Sequence, residues 1–150
     1  MKKSTLLLGL CGLAYSVFAQ TEQPFFTDYE QAKAVALAEN KKILMVFAGS
    51  DWCRPCMQFK KEILDSEVFQ TYAQENLVVL YLDFPARKKN RLSKEQTAHH
   101  EQLAEQYNKA GAFPKLVLLD GADHLIRNLS YTNQAAEHFI KECQEIARHP

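Results

Sequence analysis

The order of apolar segments predicts an α/β fold, with a mixed central sheet of about four strands and helices on both faces. Three short, continuous apolar runs carry that expectation: Ile43 to Ala48, Leu77 to Leu82 and Leu116 to Leu119. Their length and lack of polar alternation are those of strands covered on both sides. Longer stretches with apolar residues at helical spacing separate them, and alternation of this kind places helices against a sheet. With 150 residues, 47% hydrophobic and 24% charged, the chain suits one globular domain.

Each element has its own local reason. Residues 20–26 read as a short, poorly ordered lead-in to a domain over 27–148. Thr27-Asp28-Tyr29-Glu30 fits a capping box with Thr27 as N-cap, and Ala32, Val35, Ala36 and Leu37 continue a helix from 28 to about 39. The strand from Ile43 ends in the turn-like Gly49-Ser50-Asp51-Trp52. A helical stretch follows from Cys56 to Leu64, and Asp65 or Ser66 restarts or kinks it through Tyr72. After the second strand, residues 85–91 are polar and basic and read as a loop. Ser93-Lys94-Glu95-Gln96 is a second capping box, opening a helix to about Tyr107. Asp120-Gly121 marks a turn after the third strand, so Leu125 to Leu129 is expected to return antiparallel. A last helix over 133–148 presents Ala136, Phe139, Ile140 and Cys143 on one stripe. Phe59, Phe69, Tyr72, Phe84 and Phe139 are expected in the core.

The first residues have the tripartite pattern of an export signal. Lys2 and Lys3 precede a largely apolar run from Leu6 to Val17, and Val17-Phe18-Ala19 suits cleavage after Ala19. The run is short for a span of roughly 20 residues, and an uncleaved anchor, a lipid on Cys11 or a buried strand are the alternatives. Loss of residues 1–19 leaves 16 basic against 18 acidic side chains, a net charge of −2. That balance points away from general nucleic-acid binding and from stable membrane association. The expected location is the periplasm or beyond, an oxidising setting in which paired cysteines persist as disulfides. Of the four cysteines, Cys11 departs with the signal, leaving Cys53, Cys56 and Cys143.

Trp52-Cys53-Arg54-Pro55-Cys56 carries the chemistry. Cys53 falls at the start of a predicted helix, where free N–H groups and the helix dipole favour a thiolate. Cys56 follows one turn later, within reach of Cys53. Pro55 suits a first-turn position, and Arg54 adds a positive charge. These features lower a thiol pKa, and Asp51 opposes them. Cys53 is therefore the expected nucleophile and Cys56 the resolving cysteine, with no cofactor beyond the pair. A structural disulfide and half of a zinc site are the competing readings, the latter needing two more ligands.

The same five residues resemble the thioredoxin family, whose motif is WCxxC. Phe47 to Cys53, Glu67-Val68-Phe69 and Asp83-Phe84-Pro85 are similar to its exported bacterial branch, and the likeness extends over about 27–148. The resemblance implies a three-layer α/β/α sandwich. It also implies a cis-proline facing the cysteines, matched by Phe113-Pro114, whose loop receives an extended substrate segment. Trp52 would cover the site. The expected substrates are protein thiols and disulfides, with a redox partner supplying or removing electrons. A reductase or isomerase is favoured over an oxidant, although Arg54 argues the other way; a non-catalytic binding module is the rival from another class. Two positions depart from the family. Phe47 stands where many members bury a proton-moving Asp, which leaves water, Asp51 or Glu62 to deprotonate Cys56. Lys115 follows the proline where Thr is common; it reads as solvated surface, or as a charge beside the thiolate. Arg87-Lys88-Lys89-Asn90-Arg91 reads as a solvated loop, with docking of an acidic partner as the alternative. His99 and His100 are expected on a helix surface, and Cys143 as a buried inert thiol.

Overall fold

The computed structural model describes residues 25–122 and 124–148. The proposed signal peptide, Cys11 and the first part of the lead-in lie outside them. The described chain runs α1 (Tyr29–Glu39), β1 (Lys42–Ala48), α2 (Arg54–Phe59), a π turn (Lys60–Leu64), α3 (Glu67–Asn76), β2 (Leu77–Asp83), a 3-10 turn (Lys88–Asn90), α4 (Lys94–Tyr107), β3 (Lys115–Leu119), β4 (Leu125–Leu129) and α5 (Ala136–Arg148). One four-stranded sheet has the order β2-β1-β3-β4. β1 is parallel to β2 and antiparallel to β3, and β4 returns antiparallel to β3.

Alternation along the strands divides the core in two. Leu44, Val46 and Ala48 of β1 and Leu116 and Leu118 of β3 join Phe59, Phe69, Phe139 and the cysteines on the side of α2, α3 and α5. Ile43, Met45 and Phe47 join Val117, Leu119, Ala32, Ala36 and Leu103 on the side of α1 and α4. A strand with both faces covered can be apolar at every position, which is why the runs showed no polar alternation. The result is the expected three-layer sandwich. Tyr72 and Phe84 are only partly buried, packing at the margins of the two clusters.

Local chemistry sets most boundaries. Ser66 and Ser93 cap α3 and α4, accepting from the N–H groups of Phe69 and Gln96. At α1 the cap is Asp28, which accepts from Gln31 N–H, and not Thr27. Either residue can cap, but the Thr27 carbonyl faces His100 Nε2 at 3.3 Å, which holds Thr27 outside the helix. The lead-in is also less loose than expected. Phe26 bonds to Val79 and Tyr81 along the outer edge of β2, and Phe25 stacks on Tyr81. These two residues cover an otherwise open sheet edge.

A candidate dithiol–disulfide site

β1 ends against the turn that delivers Cys53 to the start of α2. Cys53 is itself the N-cap: its backbone is extended, and its Sγ accepts from Cys56 N–H at 3.2 Å. Arg54 and Pro55 occupy the first helical positions and are exposed. Cys56, one turn on, is joined to Cys53 by a disulfide. Both sulfurs belong to the α2–α3–α5 cluster, and Cys53 retains slightly more exposure than Cys56. The Cys53 sulfur thus sits where an amide N–H and the open end of a helix favour negative charge.

Two carboxylates lock this turn to the end of β2. Asp83 accepts from Ser50 N–H at 2.8 Å and from Ser50 Oγ at 2.6 Å. Asp51 reaches the other way, accepting from the N–H groups of Ala86 and Arg87 at 2.8 and 2.9 Å and from Asn90 Nδ2 at 2.8 Å. The Ala86 N–H is the largest of the influences that hold the Asp51 carboxyl below its ordinary range. Its charge is spent on the 86–90 loop, so Asp51 is poorly placed to act as the base for Cys56. Glu62 is likewise engaged, by Gln58 and by the Tyr131 hydroxyl at 2.8 Å.

Trp52 lies half-exposed over the site, and its Nε1 donates to Phe84 O at 2.7 Å. Its ring meets Phe113 edge-on at 5.2 Å, and Phe113 meets Phe84 at 5.4 Å. Gly49 makes that pose possible: a Cβ there would fall 2.7 Å from Trp52 Cζ2. The Phe113-Pro114 bond is cis. Its loop is held by Asn108, whose buried side chain donates to Ala112 O and accepts from Ala112 N–H.

The predicted site residues Trp52, Cys53, Arg54, Pro55 and Cys56 therefore adjoin one another, with Phe113 and Pro114 reached through Trp52. Lys115 does not join them. It pairs with Phe47 across β1 and β3, so both departures from the family face the α1–α4 side. There Lys115 lies beside Tyr107, Asn108 and Asn128. The run 116–119 is buried at every position, so no sequence signal tells which face each residue takes, and strand register decides it. Phe47 is fully buried and packs toward Phe84. His100 is a second correction: it is 1% exposed, with Nδ1 at 2.9 Å from Asp83 O and Nε2 at 3.3 Å from Thr27 O. It pins α4 to the strand end that holds Ser50. Sequence reasoning missed Asp83, Gly49, Asn108 and His100 as positioning residues. Among the described residues, no cluster of three His, Cys, Asp or Glu side chains could hold a metal ion.

Residues 24–121 match the family described as thioredoxin-like. The chain belongs to the thioredoxin-like family. Two curated relatives come from Chlamydia pneumoniae. Disulfide bond reductase DsbH is 32% identical over 103 residues, which is 69% of this chain and 60% of that protein. Thioredoxin-related protein DsbJ is 27% identical over 108 residues, 71% of this chain and 30% of that protein. The chain thus spans less than two thirds of either relative. A solved DsbH oxidoreductase shares the thioredoxin-like fold, with a TM-score of 0.78, 24% identity and 95% coverage of both chains.

Proposed function

We propose that this protein is an extracytoplasmic thiol–disulfide oxidoreductase that reduces or reshuffles protein disulfides, with Cys53 as nucleophile and Cys56 as resolving cysteine. The observation that carries the reading is the Cys53 sulfur acting as helix N-cap, with the adjacent Trp52 ring against Phe113 of the cis-proline loop. The Cys53 thiolate attacks a substrate disulfide, forming a mixed disulfide and expelling a substrate thiolate, which takes a proton. Cys56, deprotonated by water, then attacks Cys53, closing the Cys53–Cys56 disulfide and releasing the second substrate thiol. Two electrons pass to the substrate, and a donor dithiol restores the pair. Trp52, Arg54, Pro55, Phe113 and Pro114 shape the surface that receives the substrate. The periplasm follows from the export pattern of residues 1–19. No described helix is long and apolar enough to cross a membrane. The reducing direction is favoured by the name of the relative that is a disulfide bond reductase.

The test uses the mature protein with Cys53→Ser and Cys56→Ser beside it. Wild type is expected to reduce insulin with a donor present, and both variants to lose turnover, Cys56→Ser retaining a trapped mixed disulfide. Equal behaviour of all three would leave a binding module. Equilibration with glutathione fixes direction: a potential near about −270 mV marks a reductant and one near about −120 mV an oxidant.

A further inference from the structure

The loop after β2 holds a concentration of charge that the fold does not use. Arg87, Lys88, Lys89, Arg91 and Lys94 are all exposed. None lies within ion-pair distance of a carboxylate among the described residues, where the ion pairs engage other side chains. Five cations crowded together repel one another, in a chain whose overall charge is balanced. Asp51, which feels the charge of Arg87, offsets them only in part. Asp83 is occupied by Ser50, and Asp51 by backbone N–H groups and Asn90. Those Asp51 bonds also fix where the charge sits: two residues before Cys53, the chain grips the loop at Ala86, Arg87 and Asn90. Beside the loop lies a groove of about 460 Å³, with Phe84, Pro85 and Leu92 as apolar wall and Arg91 and Lys94 at its margin. Asp83 and Glu101 also line it, so the positive charge offered to an acidic occupant comes from Arg91, Lys94 and the exposed cations of the adjoining loop. Phe84 belongs both to this groove and to the aromatic group that includes Trp52.

We infer that the 87–94 loop and its groove form a docking surface for an acidic polypeptide segment flanking the disulfide of the substrate, with one apolar side chain seated against Phe84 and Leu92. The inference rests on the oxidoreductase reading and names the substrate class of the same site. A segment leaving the cysteine pair past Trp52 reaches Phe84 next, so a single extended chain can contact both. Opposite charge accelerates encounter and selects partners more than it adds affinity, and salt screens it.

Two synthetic peptides with one internal disulfide test this, identical except that Glu or Lys residues flank the cysteines and one Leu. The readout is the rate of oxidation of the reduced mature protein, followed by thiol trapping. Wild type is expected to react with the Glu peptide about tenfold faster at low salt, the preference fading towards 1 M salt. Lys88→Glu, Lys89→Glu and Arg91→Glu together should reverse the preference, while reaction with hydroxyethyl disulfide, small and neutral, stays as in wild type. Equal wild-type rates for the two peptides, or a preference unchanged in the triple variant, would overturn the docking surface alone. If the reduced protein reacts with neither peptide nor with hydroxyethyl disulfide, the oxidoreductase reading falls as well. The salt series on wild type requires no variant to fold.

Discussion

Cys53 and Cys143 lie in the same apolar cluster and are almost equally hidden, at 4% and 1% exposure. What faces each sulfur is different in kind. Cys53 stands at a helix start, accepts an amide N–H from Cys56, and has a second cysteine one turn away. Cys143 stands inside α5 on the stripe of Ala136, Phe139, Ile140 and Ile146. Burial pushes its thiol up to about 12, and the neighbouring Glu142 adds to the shift. The two sulfurs thus share burial but not surroundings, and the groups that stabilise a thiolate govern a cysteine's reactivity.

The largest expected contrast is in turnover. Cys53→Ser should lower insulin reduction by about a thousandfold or more, while Cys143→Ser leaves the rate of the folded protein unchanged; loss of activity in both would erase the distinction. Labelling sharpens it. In the reduced protein at pH 8, iodoacetamide should modify Cys53 rapidly and Cys143 only after denaturation, since its thiolate is about one part in ten thousand there. Rapid native labelling at Cys143 in a mass spectrum would contradict its inert setting. Cys143→Ser should instead cost about 1–3 kcal/mol of stability in urea, by placing a hydroxyl among apolar neighbours.

Smaller effects probe what holds the Cys53 side. Trp52 is the sole tryptophan, so fluorescence reports on it alone. Gly49→Ala should displace its ring and shift the emission, with far-ultraviolet circular dichroism unchanged; an unmoved spectrum would show that the ring does not need the space. The smallest effect is at Asp51. Its native pKa lies below its unfolded value near about 3.9, so its clamp on the 86–90 loop is complete above about pH 4. The clamp weakens only as pH falls through the lowered native value, and raising the pH further adds nothing. Amide chemical shifts of Ala86 and Arg87 should follow this acid step, and Asp51→Asn should remove it.

Much of this architecture was legible locally. Uninterrupted apolar runs marked β1, β2 and β3 because both of their faces are covered. Ser93 announced α4 because a cap needs only its own next three residues, and WCxxC announced the site because its geometry lies within one turn. Asp28 was missed in favour of Thr27 because two adjacent residues could cap and a contact from His100 chose between them. His100 was read as surface because nothing on its own helix shows that carbonyls from Thr27 and Asp83 converge on it. Lys115 was allowed beside the thiolate because its face depends on strand parity set by Val117 and Phe47.

The sequence by itself determined the layers, the cysteine pair at a helix start, and the buried stripe that carries Cys143. These follow from spacing along one segment, where backbone geometry leaves few choices. The tertiary structure alone decided that Asp83 holds Ser50, that Asp51 grips a basic loop, and that Lys115 faces away from the cysteines. Those contacts join segments more than thirty residues apart or depend on strand register, and no local pattern encodes which side chain a distant backbone group will meet. Cys53 and Cys143 therefore differ less in their own residue type than in what the fold brings to each sulfur.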